Sequence, residues 1–228
     1  MIKAVIFDVD GTLYDYDSAH AVGMEALDAY VGRELNMDPA SFRAAYKKTM
    51  KEVSNKMGLQ AAAIHDRYLR FQIMAETEGF AYSPHVLAMT DLYWNTLLDA
   101  MRPQPGIGQA LERLRAGGYR LGVGTNMMVD YQLRKLERLG ILNMFDFIVT
   151  SEEALAEKPE PGFFRKCVEK AHAEPEECLF VGDDPVLDYG GAVRAGLKGL
   201  WFRAEGREMP EGSEIPFITE YGQLEMFL

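Results

Sequence analysis

Two aspartates one residue apart, Asp8 and Asp10, end the apolar run VIF in VIFDVDGTLYD, residues Val5 to Asp15. Crowding or burying carboxylates is costly, so the pair demands a cation, a proton or a turn that relieves it. A carboxylate freed from full solvation can attack as a nucleophile and form an acyl intermediate, as in aspartyl-phosphate chemistry. A second carboxylate two positions away can protonate the leaving oxygen and later activate water. Further along stand Thr125, Lys158-Pro159, Asp183-Asp184 and Asp188. Thr125 and Lys158 suit phosphoryl oxygens, and Lys158 also offsets the charge around Asp8. Carboxylates converging on one place repel one another, and a hard divalent cation relieves this. Mg²⁺ matches a site of a few carboxylates, water and a substrate phosphate. Together these groups describe phosphoryl transfer.

Residues so far apart in the chain meet only if the elements between them bring them together. From Pro103 onward the pattern alternates between strand and helix. Helical segments are predicted at Gly106 to Ala116, Asp130 to Leu139, Pro161 to His172 and Val186 to Ala195. Strands are predicted at Tyr119 to Gly124, Phe147 to Thr150, Cys178 to Gly182 and Gly199 to Phe202. Such alternation implies an α/β fold with a parallel, doubly wound, Rossmann-like sheet, to which Val5 to Phe7 adds a strand. In such sheets the ligand crevice lies beyond the carboxyl ends of the strands, where Asp8, Asp10, Thr12, Thr125, Asn126, Asp183 and Asp184 all fall. Ser18 to Met101 reads differently, as about four helices. Asp38-Pro39 opens the second and Gly58 closes it, the third ends near Gly79, and Pro84 opens the fourth. The expected organisation is a core of residues 1–15 and 103–228 with a helical insertion at 16–102.

Composition removes several classes of function. With 35 acidic against 24 basic residues the formal charge is −11, and no basic run or stripe appears. Such a surface repels nucleic acid and anionic membranes, leaving a small molecule as the expected partner. Two cysteines, Cys167 and Cys178, give neither a disulfide framework nor metal spacing and read as buried thiols. MIKAVIFD reaches charge too early for a signal peptide or a membrane span, which predicts a cytoplasmic protein.

DVDGT, an apolar strand ending in Thr125, Lys158-Pro159 and GDD followed by Asp188, in this order, resemble the motifs of the haloacid dehalogenase (HAD) superfamily of hydrolases. The resemblance spans Ala4 to Gly196. It implies that Asp8 is the nucleophile and Asp10 the general acid and base, with the Asp10 backbone carbonyl also a metal ligand. It further implies that Asp8 and Asp183 bind Mg²⁺, that Thr125 and Lys158 bind phosphate, and that Asp188 orients the metal shell. Asp184 stands where many relatives carry Ser and either joins that shell or bonds water. The insertion resembles the family's α-helical C1-type cap, which closes over the site and selects substrate. Dehalogenating relatives replace the second aspartate, so Asp10 favours a phosphate monoester, in a subgroup similar to phosphoglycolate phosphatases and nucleotidases. The alternatives are a 2-haloacid dehalogenase, a phosphomutase and a non-catalytic scaffold.

Other residues carry less. Gly11 permits an unusual turn or a close backbone approach. Thr12 is in the motif as support, and Asn126 has a side chain or backbone N–H to offer phosphate. His65, His85 and His172 read as surface residues, while Tyr16 and His20 lie at the start of the insertion, where substrate can reach them.

Overall fold

The computed structural model describes residues 1–58, 62–204, 206–212 and 214–228. The chain forms two compact units, one of Met1–Asp15 with Arg102–Leu228 and one of Tyr16–Met101.

In the first unit, β1 (Ala4–Phe7), β2 (Arg120–Thr125), β3 (Phe147–Thr150), β4 (Cys178–Gly182), β5 (Lys198–Phe202) and β6 (Phe217–Ile218) form one sheet in the order β3-β2-β1-β4-β5-β6. Every pairing is parallel. The central strand β1 is wholly buried, as a continuous apolar run covered on both faces must be. Its alternate side chains divide the core. Ala4 and Ile6 face a cluster with Phe163, Phe164, Cys167 and Phe180, whereas Phe7 lies near the rings of Phe145 and Tyr221. Burial of each large side chain here is worth roughly 1.5–3 kcal/mol. Both cysteines are buried free thiols.

Helices α5 (Ile107–Ala116), α6 (Val129–Arg138), α7 (Ser151–Ala154), α8 (Pro161–Ala171) and α9 (Gly191–Arg194) connect these strands, α1 to α4 being those of the second unit. Two places differ from the sequence reading. The expected helix from Val186 is a π-helical turn, Pro185–Gly190, continued by α9. The chain also adds β6 and a 3₁₀ segment, Tyr221–Phe227. Two-residue strands and 3₁₀ segments are too short to show a period.

The second unit holds α1 (Tyr16–Glu34), α2 (Pro39–Met57), α3 (Arg67–Glu78) and α4 (His85–Ala100), with α1 packed along α4 and α2 along α3. Asp38 caps α2 by accepting from the Ser41 N–H at 3.0 Å, and Pro39 takes the first helical position, where no N–H is needed. Met24, Phe42, Tyr46, Phe71, Met74, Met89 and Tyr93 are buried as core, whereas Met50, Met57 and Tyr68 on the same helices are 38%, 45% and 38% exposed. None of the described helices is long and apolar enough to cross a membrane.

Candidate active site

Register sets the site. Phe7 aligns with Val123 on one side and Val181 on the other, so the next residue of each strand opens at the same level. Asp8 follows β1 and donates its backbone N–H to the Val181 carbonyl at 2.9 Å. Asp183 follows β4, and its carbonyl accepts from the Trp201 indole at 2.7 Å. Asp188 projects from the π-helical turn. One carboxylate oxygen each from Asp8, Asp183 and Asp188 lies within 4.8 Å of the others.

Lys158 enters from the loop before α8. Its ammonium donates to Asp8 at 2.5 Å and to Asp188 at 2.7 Å, and all three side chains are buried. Burial opposes its charge, but Asp188 and Asp8 outweigh that and raise its pKa above the usual lysine range. One ammonium does not balance three acids. Burial pushes the Asp8 carboxyl up against the pull of Lys158, with Asp188 adding to the rise. Burial, then Asp8 and Asp188, push Asp183 up as well. Crowded, all-oxygen acids that resist ionising together are the donor set that a hard divalent cation fits.

Gly11 makes this crowding possible. At φ 81° it takes a left-handed turn, and a Cβ there would lie 2.4 Å from an Asp183 carboxylate oxygen. Thr12 is fully buried; its carbonyl accepts from the Tyr221 hydroxyl at 2.7 Å, and its own Oγ1 has no partner among the described residues.

The Asp10 carboxylate lies outside the acid cluster. It accepts from Lys135 Nζ at 2.7 and 2.8 Å, from Gln132 Nε2 at 3.2 Å and from the Tyr14 hydroxyl. Burial would raise its pKa, but Lys135, with Tyr14 and Gln132, holds it below the usual carboxylate range. Gln132 also donates to Thr125 Oγ1 at 2.9 Å, linking Asp10, in the loop after β1, to the last residue of β2. Asn126 uses its side chain twice on the Lys158 backbone, accepting from its N–H at 2.8 Å and donating to its carbonyl at 3.2 Å. The donors it can still offer a phosphate are the second Nδ2 hydrogen and the backbone N–H. Asp184 accepts from the Val186 and Leu187 N–H groups at 2.8 Å, capping the π-helical turn. Its own N–H donates to Asp188 at 2.9 Å.

Sequence reasoning missed Lys135, Gln132, Tyr14 and the buried pair Ser151–Glu157. The Ser151 hydroxyl accepts from the Met127 N–H and donates to Glu157, both at 3.0 Å, which ties the β2 loop to the segment carrying Lys158. A signal for the first two existed. Tyr131, Gln132, Lys135 and Leu136 share the buried face of α6, so a lysine falls on the apolar side of an amphipathic helix. Tyr16 and His20 stack on each other at 5.3 Å in the second unit, where His20 Nδ1 bonds the Tyr93 hydroxyl at 2.7 Å.

The motif order, the parallel sheet and this cluster define an α/β domain with its acids gathered beyond the carboxyl ends of the strands. The haloacid dehalogenase-like hydrolase profile matches residues 5–202, and the chain belongs to that family. It is 35% identical over 204 residues to a ribulose-1,5-bisphosphate 5-phosphatase of Halopiger xanaduensis, covering 89% of this chain and 85% of the relative. It is 31% identical to a glyceraldehyde 3-phosphate phosphatase of Methanothermobacter thermautotrophicus over the full length of both. Among solved structures, a HAD phosphatase from Thermococcus onnurineus superposes with a TM-score of 0.75 at 24% identity, covering 99% of this chain and 97% of that one. A 2-haloacid dehalogenase from Pseudomonas syringae gives 0.78, also at 24% identity and with the same coverage. At that identity the last two likenesses speak for the fold alone.

Proposed function

We propose that this protein is a Mg²⁺-dependent phosphatase acting on a small phosphorylated metabolite, with Asp8 as nucleophile. The observation that carries the reading is the buried arrangement of Asp8, Asp183 and Asp188 around Lys158, with a second carboxylate, Asp10, set apart on Lys135. Asp8 attacks the phosphorus and the ester oxygen leaves, forming an aspartyl phosphate. Asp10, ionised against Lys135 in the free site, takes up a proton from solvent before attack, gives it to the departing oxygen, and then takes one from the water that releases phosphate. Lys158 and Thr125 hold the phosphoryl oxygens, with the Asn126 backbone beside them. Bound by Asp8, Asp183 and the Asp10 backbone carbonyl, with Asp188 orienting the set, Mg²⁺ would supply charge neutralisation for nucleophile and phosphate together.

The relatives' names support a small phosphorylated sugar as substrate, and residues 16–102 are the cap that selects it. Asp10 and its bonds speak against the dehalogenase reading, whose ester intermediate needs no protonated leaving group. Two buried free thiols suit a reducing compartment such as the cytoplasm.

The test is phosphate release from sugar phosphates, nucleotides, phosphoglycolate and an aryl phosphate, with Mg²⁺, with EDTA and in Asp8→Asn. The reading expects release that needs Mg²⁺ and falls at least about 10³-fold in the variant. Release that survives both treatments removes Asp8 as nucleophile.

A further inference from the structure

The second unit buries two positive charges without a countercharge. Arg67 and Arg70, three residues apart on one face of α3, are 5% and 7% exposed. Among the described residues neither guanidinium forms an ion pair with a carboxylate. Arg67 donates to the His65 carbonyl at 2.9 Å and to the Tyr93 hydroxyl at 3.2 Å. Arg70 donates to the Ile64 carbonyl at 3.0 and 2.6 Å and to the Tyr46 hydroxyl at 3.2 Å. All these acceptors are neutral at neutral pH.

Buried charges in proteins are paired, because desolvating an ion costs several kcal/mol that neutral dipoles recover only in part. The Arg67 guanidinium lies 4.8 Å from the Tyr93 ring centroid and 5.5 Å from that of Trp94, contacts that stabilise a cation without neutralising it. Its Nε is buried with no acceptor among the described residues. Burial and then the Arg67 charge push His20 down to about 4, so this ring stays neutral and the positive field beside it is unbalanced. Two forked cations, one with an unused buried donor and both ringed by phenols, are complementary to a group that brings two or three anionic oxygens.

We infer that Arg67 and Arg70, with the hydroxyls of Tyr46 and Tyr93, form a binding site for a phosphate or carboxylate group. The group is a free anion, either inorganic phosphate or a small carboxylate.

The chain has two tryptophans, Trp94 beside Arg67 and Trp201 in β5, so fluorine NMR of 5-fluorotryptophan-labelled protein reads the two units separately. The full-length Asp8→Asn protein, in which esters persist, is titrated with inorganic phosphate and with 2-phosphoglycolate, and Trp94→Phe assigns the resonances. A saturable shift of the Trp94 signal is expected, weakened at least tenfold in Arg67→Lys, while the Trp201 response is kept. A shift with inorganic phosphate identifies a free-anion site. A shift with 2-phosphoglycolate alone identifies a site that needs a carboxylate. A Trp94 signal that ignores both ligands, or that moves identically in folded Arg67→Lys and Arg70→Lys, overturns the site and leaves the arginines a packing role. Because the readout needs no turnover, failure of the phosphatase assay leaves this result interpretable.

Discussion

At the scale of single residues, the two aspartates of the first motif live in opposite environments although one residue separates them. Asp8 faces other acids and is pushed toward its neutral form, whereas Asp10 is held ionised by a buried lysine. Catalysis needs both states reversed: a cation at the acid cluster would favour ionised Asp8 as the nucleophile, and Asp10 must take up a proton before it can act as the acid. Lys135, 1% exposed, fixes Asp10 through both of its oxygens. Lys135→Met is therefore expected to lower kcat on an alkyl phosphate by about 100-fold, at the lower end of the range typical of acid–base contributions. The same change made in Asp10→Asn should cost almost nothing further, because residues that act as a unit are not additive. A full additional loss in the double variant would show that Lys135 acts elsewhere.

At the scale of elements, the end of β4 and the turn after it work as one part. Gly182 ends the strand, and a Cβ there would lie 2.3 Å from the Asp188 carboxylate. Gly182→Ala should displace Asp188 from Lys158, cutting phosphate release and Mg²⁺ affinity at least tenfold; calorimetric titration of Mg²⁺ measures the second effect. Unchanged Mg²⁺ affinity would separate Asp188 from the metal shell. The sequence showed why Asp183 and Asp188 belong together, since both follow an apolar strand that alternates with helices. It could not show the π-helical turn, whose wider period breaks the 3.6-residue rule used to read Val186 onward. Nor could it choose among metal, water and cap for Asp184, because the same residue type serves all three; the cap is what the turn uses. Asn126 was legible as polar and well placed, but its grip on the Lys158 backbone depends on a loop arriving from beyond β3. Lys135 was missed because lysine in a helix is normally read as a solvated face, and only the burial of its neighbours contradicts that.

At the scale of the whole molecule, stability should depend on the state of His20. Its pKa falls from the unfolded 6.5 to about 4, first through burial and then through Arg67, with Asp17 opposing. A depressed value means that the unfolded chain binds the proton more readily between these limits. The contribution of the neutral ring is complete above pH 6.5 and is lost as pH falls toward 4. Discounted for partial exposure, it amounts to about 1–2 kcal/mol. Thermal melts from pH 4 to 8 should show the native protein losing more stability on acidification than His20→Gln; parallel curves would refute this. The strand order has a further consequence, for how the chain is made. β1 leaves the ribosome first, yet Ala4 must wait for Arg120 on one flank and Cys178 on the other. The intervening helices pair with near neighbours in the chain, α2 with α3 and α3 with α4, and α1 meets α4 well before β2 is synthesised. The local contacts of residues 16–101 can thus close while the most apolar strand of the protein is still unpaired. During synthesis, β1 is the segment a chaperone has most reason to hold.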